Sequence, residues 1–166
     1  TFTPNGESSS IYGDNAKGKT TIMDAFLWLL FDKDSLGKKD FEIKTLVDGV
    51  ATPKLEHEVE AAVLVGDQLI KLKKIYKENY TKKRGQLVAT FTGHVTEYYV
   101  NDVPVKKKEY QEKVVSLSGS EDVFRLLTSP THFAENLTWT KQRELLLEVC
   151  GGITDQDVIE SDASLS

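Results

Sequence analysis

The sequence predicts a mixed α/β fold, shading into α+β, on the strength of three observations. Gly13-Asp14-Asn15-Ala16-Lys17-Gly18-Lys19-Thr20 sets a glycine-rich loop between a short run containing Ile11 and Tyr12 and a long run of helix formers. Residues 41–105 then carry β-branched and aromatic stretches with alternating polarity. Residues 106–160 change to helical spacing, with Gly119 and Gly151-Gly152 at the helix ends.

Taken in order, Ser8 to Tyr12 lies between Gly6 and Gly13 and reads as a buried strand. Lys19 to Asp32 reads as a helix that is apolar on nearly every face, from Ile22 and Met23 to Leu30 and Phe31, and such a helix belongs in an interior. Strands are expected over Phe41–Leu46, Glu56–Val65, Leu69–Tyr76, Leu87–Thr92 and Thr96–Val100. Turns at Gly66-Asp67 and Asn101-Asp102 lead onward, the second into Val103-Pro104-Val105. Together they make an antiparallel meander of five or six strands. Helices follow over Lys106–Leu117, Glu121–Leu127, Thr140–Val149 and Thr154–Ile159. The domain reading is one lobe over 1–160, divided into a strand–loop–helix unit (7–32), an antiparallel part (41–105) and a helical part (106–160).

With 166 residues, the chain is long enough to bury a core, and 39% apolar with 28% charged residues is a globular profile. A net charge of -5 means that any nucleic-acid contact must come from a local patch. One cysteine, Cys150, excludes a disulfide framework and fits a reducing compartment. No apolar run approaches the roughly 18 residues that span a bilayer, and no signal-peptide pattern opens the chain. The expectation is a cytoplasmic protein without membrane contact. The start at Thr1 and the polar close over residues 161–166 read as cut ends.

The loop matches G-x-x-x-x-G-K-[ST] in full. Its glycines let successive N–H groups turn inward at the start of a helix, which makes a nest for an anion. The segment from Gly13 to Thr21 is therefore expected to hold the phosphates of ATP. Backbone N–H groups of Ala16, Lys17, Gly18, Lys19 and Thr20 would cradle the β-phosphate. Lys19, the catalytic candidate, reaches the β- and γ-phosphates, and the Thr20 hydroxyl ligates Mg²⁺.

The loop resembles the G-x-N-G-x-G-K-[ST] version of the ABC-type ATPases of DNA repair, the SMC/SbcC/RecF group. Thr21-Ile22-Met23-Asp24-Ala25-Phe26-Leu27-Trp28-Leu29-Leu30-Phe31 and Asp32-Lys33-Asp34-Ser35 are similar to the helix that follows in that group. Phe41–Leu46, Leu55–Val59 and Val103–Tyr110 are similar to phage and bacterial SbcC-like ATPases. The resemblance spans about residues 6–160 and implies the N-terminal lobe of an ABC-type head with an antiparallel β-subdomain. It also implies a coiled coil after the tail at 161–166. A returning C-terminal lobe would bring the Walker B acids and the signature motif, neither of which this sequence contains. It further implies a second head, DNA, a nuclease subunit and a bacterial or phage-infected host, with Asn15 facing the γ-phosphate and attacking water. The chain alone is then expected not to turn over ATP. Alternatives are a RecF- or OLD-type ATPase without a long coiled coil, or a non-hydrolysing DNA-binding or assembly module.

Two departures stand out. Ala16 replaces a glycine, which is tolerable if its φ is negative. The glutamine that holds Mg²⁺ and water has no clear counterpart. Residues 126–133 sit where it belongs, and Gln142 is the nearest glutamine, in what reads as a packing or capping region.

Lys71, Lys73, Lys74, Lys77, Lys82, Lys83 and Arg84, interleaved with Tyr76 and Tyr80, read either as a ribbon that tracks DNA phosphates or as a solvated hairpin guarded by charge. Lys106-Lys107-Lys108 opens a helix with charge that suits an external anion. The three histidines lack metal spacing. Trp28, Trp139 and Cys150 read as core residues, and Tyr98 and Tyr99 as one inward, one outward.

Overall fold

The computed structural model describes residues 2–82, 84–85, 87–129, 132–151 and 155–161. The chain divides into two compact units, 1–114 and 115–166.

In the first unit, α1 (Lys19–Phe31) starts from Gly18 at φ +83° and ends at Asp32, whose N–H donates back to Trp28 O. Leu27, Trp28, Leu29 and Leu30 are buried, but Ile22 and Met23 are exposed, so only the C-terminal half of this helix is interior. The Ser8–Tyr12 run forms no strand and is open to solvent, with Tyr12 90% exposed. A strand needs a neighbour for its N–H and C=O groups, and no described strand pairs with this run.

Past α1, Asp34 folds the chain into a tight loop. Its Oδ1 accepts from Leu36 N and Lys38 N, while Asp24 of α1 accepts from Ser35 N. The strand expected over Phe41–Leu46 shrinks to β1 (Leu46–Val47), paired with β2 (Val50–Ala51) across Asp48-Gly49. Both turn residues have positive φ, as a tight hairpin requires.

The main sheet is an antiparallel meander in the order β3 (His57–Val65), β4 (Gln68–Thr81), β5 (Thr90–Val100) and β6 (Val103–Val105). The two strands expected over 87–92 and 96–100 are one strand, with a one-residue bulge at Thr92 opposite Asn79 and Tyr80 of β4. Leu87 and Val88 lie outside it and exposed. Asn101 and Asp102 turn the chain at φ +50° and +65°. Alternation sends Ile70, Leu72 and Lys74 to one face, where α1 packs. Tyr98 joins them from β5, with Tyr110 and Val114 from α2 (Lys107–Ser118). Tyr99 points the other way.

The second unit holds α3 (Glu121–Thr128), a π-helical turn (His132–Asn136), α4 (Trp139–Cys150) and α5 (Asp155–Ser161). Ser120 and Thr138 cap α3 and α4 by accepting from Val123 N and Lys141 N, and Gly151 ends α4 at φ +84°. Leu145 is its buried apolar centre. Trp139 is 74% exposed and Cys150 is exposed, so neither is a core residue here. They sit at the two ends of α4. Gly152 and Thr154 lie outside the described residues.

Candidate functional site

The loop before α1 closes around its own lysine. Lys19 Nζ donates to Gly13 O at 2.6 Å and to Asp14 O at 2.7 Å, drawing the start of the loop over the start of the helix. Ala16 and Gly18 adopt left-handed φ of +61° and +83°, which turns the intervening N–H groups toward a common centre. Ala16 therefore does not meet the condition of a negative φ under which it would be tolerated without strain. A nest needs a left-handed residue at this point, and alanine supplies it under strain. No side chain caps α1 and its first turn carries no acid, so the helix leaves positive potential and free N–H donors there. Thr20 and Thr21 lie exposed on that turn.

The chemistry of this donor set fits a phosphate chain. An ammonium held only by two carbonyls exchanges them readily for charged oxygens, and the nest adds neutral donors. The Thr20 hydroxyl on the same turn is the group that would ligate Mg²⁺. A family model described as an AAA domain, AAA_23, matches residues 1–155. The chain belongs to that family. AAA_23 domains are P-loop ATPases of the SMC/SbcC-like type, so the mixed fold and the phosphate loop meet in one assignment. Among curated proteins, none matches the sequence.

Several other sequence candidates of this AAA_23 chain are held by partners of their own. The basic ribbon is largely neutralised by neighbouring carboxylates. Lys71 pairs with Asp102 at 3.0 Å, Lys73 with Glu60 at 3.5 Å, and Lys77 with Glu97 at 2.8 Å. Lys73 also lies over the Tyr99 ring. Lys74 is 1% exposed and leaves the ribbon altogether, because its position in β4 has inward parity. Lys82 and Arg84 are exposed, and Lys83 lies outside the described residues. Lys107 is drawn to Asp32 at 2.9 Å. Gln142 Nε2 donates to Phe133 O at 2.6 Å and to Leu137 O at 3.3 Å, tying the π-helical turn to α4. Its amide nitrogen is thus occupied as a tether.

One polar cluster escaped the sequence. Lys74 Nζ donates to Asp32 Oδ1 at 2.6 Å and to Trp28 O at 2.7 Å, both at the far end of α1 from the phosphate loop. Burial pushes the Lys74 ammonium down to about 8, against the pull of Asp32. Burial also raises Asp32, but Lys74 and Lys107 outweigh it and hold that carboxyl below its usual value. The available signal was parity. In Ile70-x-Leu72-x-Lys74 a lysine stands where an apolar residue is due.

Proposed function

We propose that this chain is the ATP·Mg²⁺-binding N-terminal half of an SbcC/SMC-like ATPase head that works on DNA in double-strand break repair or recombination. The observation that carries the nucleotide part is Lys19 reaching across a left-handed nest at an uncapped helix start. Lys19 neutralises phosphate charge as it builds, and the N–H groups of residues 16–20 hold the β-phosphate. Thr20 would hold Mg²⁺, which supplies charge stabilisation at the phosphates. Asn15 faces the terminal phosphate.

The exposed run Ile11–Tyr12 and the bare first half of α1, with Ile22 and Met23, support a further domain half that covers them. Exposed apolar residues on an unpaired segment and on a helix face are what a completing sheet would bury. That half, a second head and a nuclease subunit are the partners this reading assigns, with DNA as the substrate of the assembly. The general base for hydrolysis belongs to the completing half, so the chain by itself binds without turnover.

Calorimetry with ATP·Mg²⁺ on this chain, beside Lys19→Ala and with phosphate release recorded, tests the reading. Wild-type binding that Lys19→Ala weakens by tenfold or more, without release, is the expected outcome. Equal binding by the two proteins would reject Lys19 as the phosphate ligand.

A further inference from the structure

Lys74 is buried on the apolar face of the sheet, yet its ammonium is fully engaged. It bonds the last carbonyl-bearing turn of α1 at Trp28 O and the cap residue Asp32. The rings of Trp28, Tyr98 and Tyr110 stand 5.5, 5.4 and 5.1 Å from it. The groups facing it are therefore Asp32 and Trp28 from α1, Lys107 and Tyr110 from α2, and Tyr98 from β5. Its partner across β3 is the apolar Val59. The second oxygen of Asp32 holds Lys107. The end of α1 is thus shared between two lysines, one on the sheet and one on α2.

The helix between this cluster and the phosphate loop has 13 residues, a rod of about 20 Å with Lys19 as its first residue. A rod fixed at one end transmits a change of seating to the other. We propose that Lys74 is a positioning residue for the phosphate loop: protonated, it clamps the C-terminal end of α1 to the sheet, and loss of its proton slackens the clamp. A neutral amine still donates to Trp28 O, but it no longer attracts Asp32 or the negative end of the helix dipole. Asp32 is then left to Lys107 alone, and α1 shifts its allegiance from β4 to α2. Burial favours the neutral amine enough to bring this change near neutral pH. The consequence for nucleotide affinity rests on the ATP reading above, while the slackening itself does not.

The sequence has two tryptophans, so Trp139→Phe leaves Trp28 as the sole reporter, in contact with the ammonium. Emission followed from pH 6 to 9.5 should titrate with a midpoint near 8, and Lys74→Met should abolish the transition. Two surface-side variants carry signed expectations and stand even if Lys74→Met fails to fold. Asp32→Asn removes the attraction that favours the charged form and moves the midpoint down. Lys107→Gln removes a like charge and moves it up. Amide exchange over Gly13–Phe31, corrected for the intrinsic pH dependence, should lose protection several-fold through the same transition. ATP·Mg²⁺ affinity should weaken roughly five- to tenfold with it. A flat Trp28 profile, or midpoints that ignore the two variants, overturns the clamp. A Trp28 transition with unchanged exchange in the loop overturns the positioning role. No affinity at any pH, with the exchange change present, rejects the nucleotide reading and leaves the clamp standing.

Discussion

Ala16 holds φ at +61° in the middle of the proposed phosphate loop. For a residue with a Cβ this region costs roughly 1–2 kcal/mol, whereas glycine enters it freely. Ala16→Gly relieves that strain but returns about 0.4–1 kcal/mol to the unfolded chain as entropy. The expected net effect is a small gain in stability, below roughly 1 kcal/mol, read as a higher denaturation midpoint at unchanged slope. Gly18 gives the opposite test. Its φ is +83°, and a Cβ added there meets only Thr21 Oγ1, at 3.9 Å, so space is not the obstacle. Gly18→Ala should lower stability by about 1 kcal/mol through the backbone alone and weaken phosphate binding by tilting the nest. A pair of variants moving in the same direction would mean that loop backbone strain is not what separates these two positions.

At the level of elements, the C-terminal half of α1 carries the packing of the first unit. Leu29 is 0% exposed, and its carbonyl accepts the Tyr110 hydroxyl at 3.0 Å. Leu29→Ala should cost about 2–5 kcal/mol, as for other fully buried leucines. Tyr110→Phe should cost about 1 kcal/mol, because it strips one bond from a buried carbonyl and leaves the ring in place. Chemical denaturation followed at Trp28 reads both, and a Tyr110→Phe loss as large as that of Leu29→Ala would contradict this division. These contacts also show which parts of the fold could be read in advance. The loop that Lys19 closes was legible as a candidate because its whole pattern lies in eight consecutive residues, Gly13 to Thr20. The meander was legible because alternation and turn residues are local. The run Ser8–Tyr12 was misread because a strand exists only with partners, and composition says nothing about who pairs. Trp139 was assigned to a core by hydrophobicity, yet it opens α4 on its exposed side. Lys74 reads as a ribbon lysine because the density of lysines there outweighs the parity of Ile70-x-Leu72-x-Lys74, and the register then sets it between Val59 and Tyr98.

Across the molecule, the first unit is stitched together by carboxylates held below their ordinary pKa. Glu78 is the strongest case, brought down to about 2 by the Lys44 ammonium, the Tyr80 hydroxyl and the Lys54 N–H. The Lys44 bond measures 2.6 Å and the Lys54 bond 3.0 Å, and together they pin residues 44–54 to β4. Asp32, Glu97 and Asp102 are lowered as well, each chiefly through lysine partners that outweigh any burial cost. A carboxyl whose folded pKa is depressed stabilises the fold fully above its unfolded value. It loses that contribution as pH falls toward the folded one. For Glu78 the window runs from 4.5 down to about 2. Glu78→Gln keeps the shape of the side chain but cannot ionise, so it should be less stable than wild type at pH 7. The gap should narrow below pH 4.5 as the wild-type carboxyl takes up its proton. Denaturation midpoints at pH 7, 5, 4 and 3, followed at Trp28 in the Trp139→Phe background, measure that gap. A gap of constant size from pH 7 to pH 3 would mean that Glu78 acts through the hydrogen bonds its two oxygens accept rather than through its charge. The hold on residues 44–54 would then rest on the bonds donated by Lys44 and Lys54 whether or not the carboxyl is ionised.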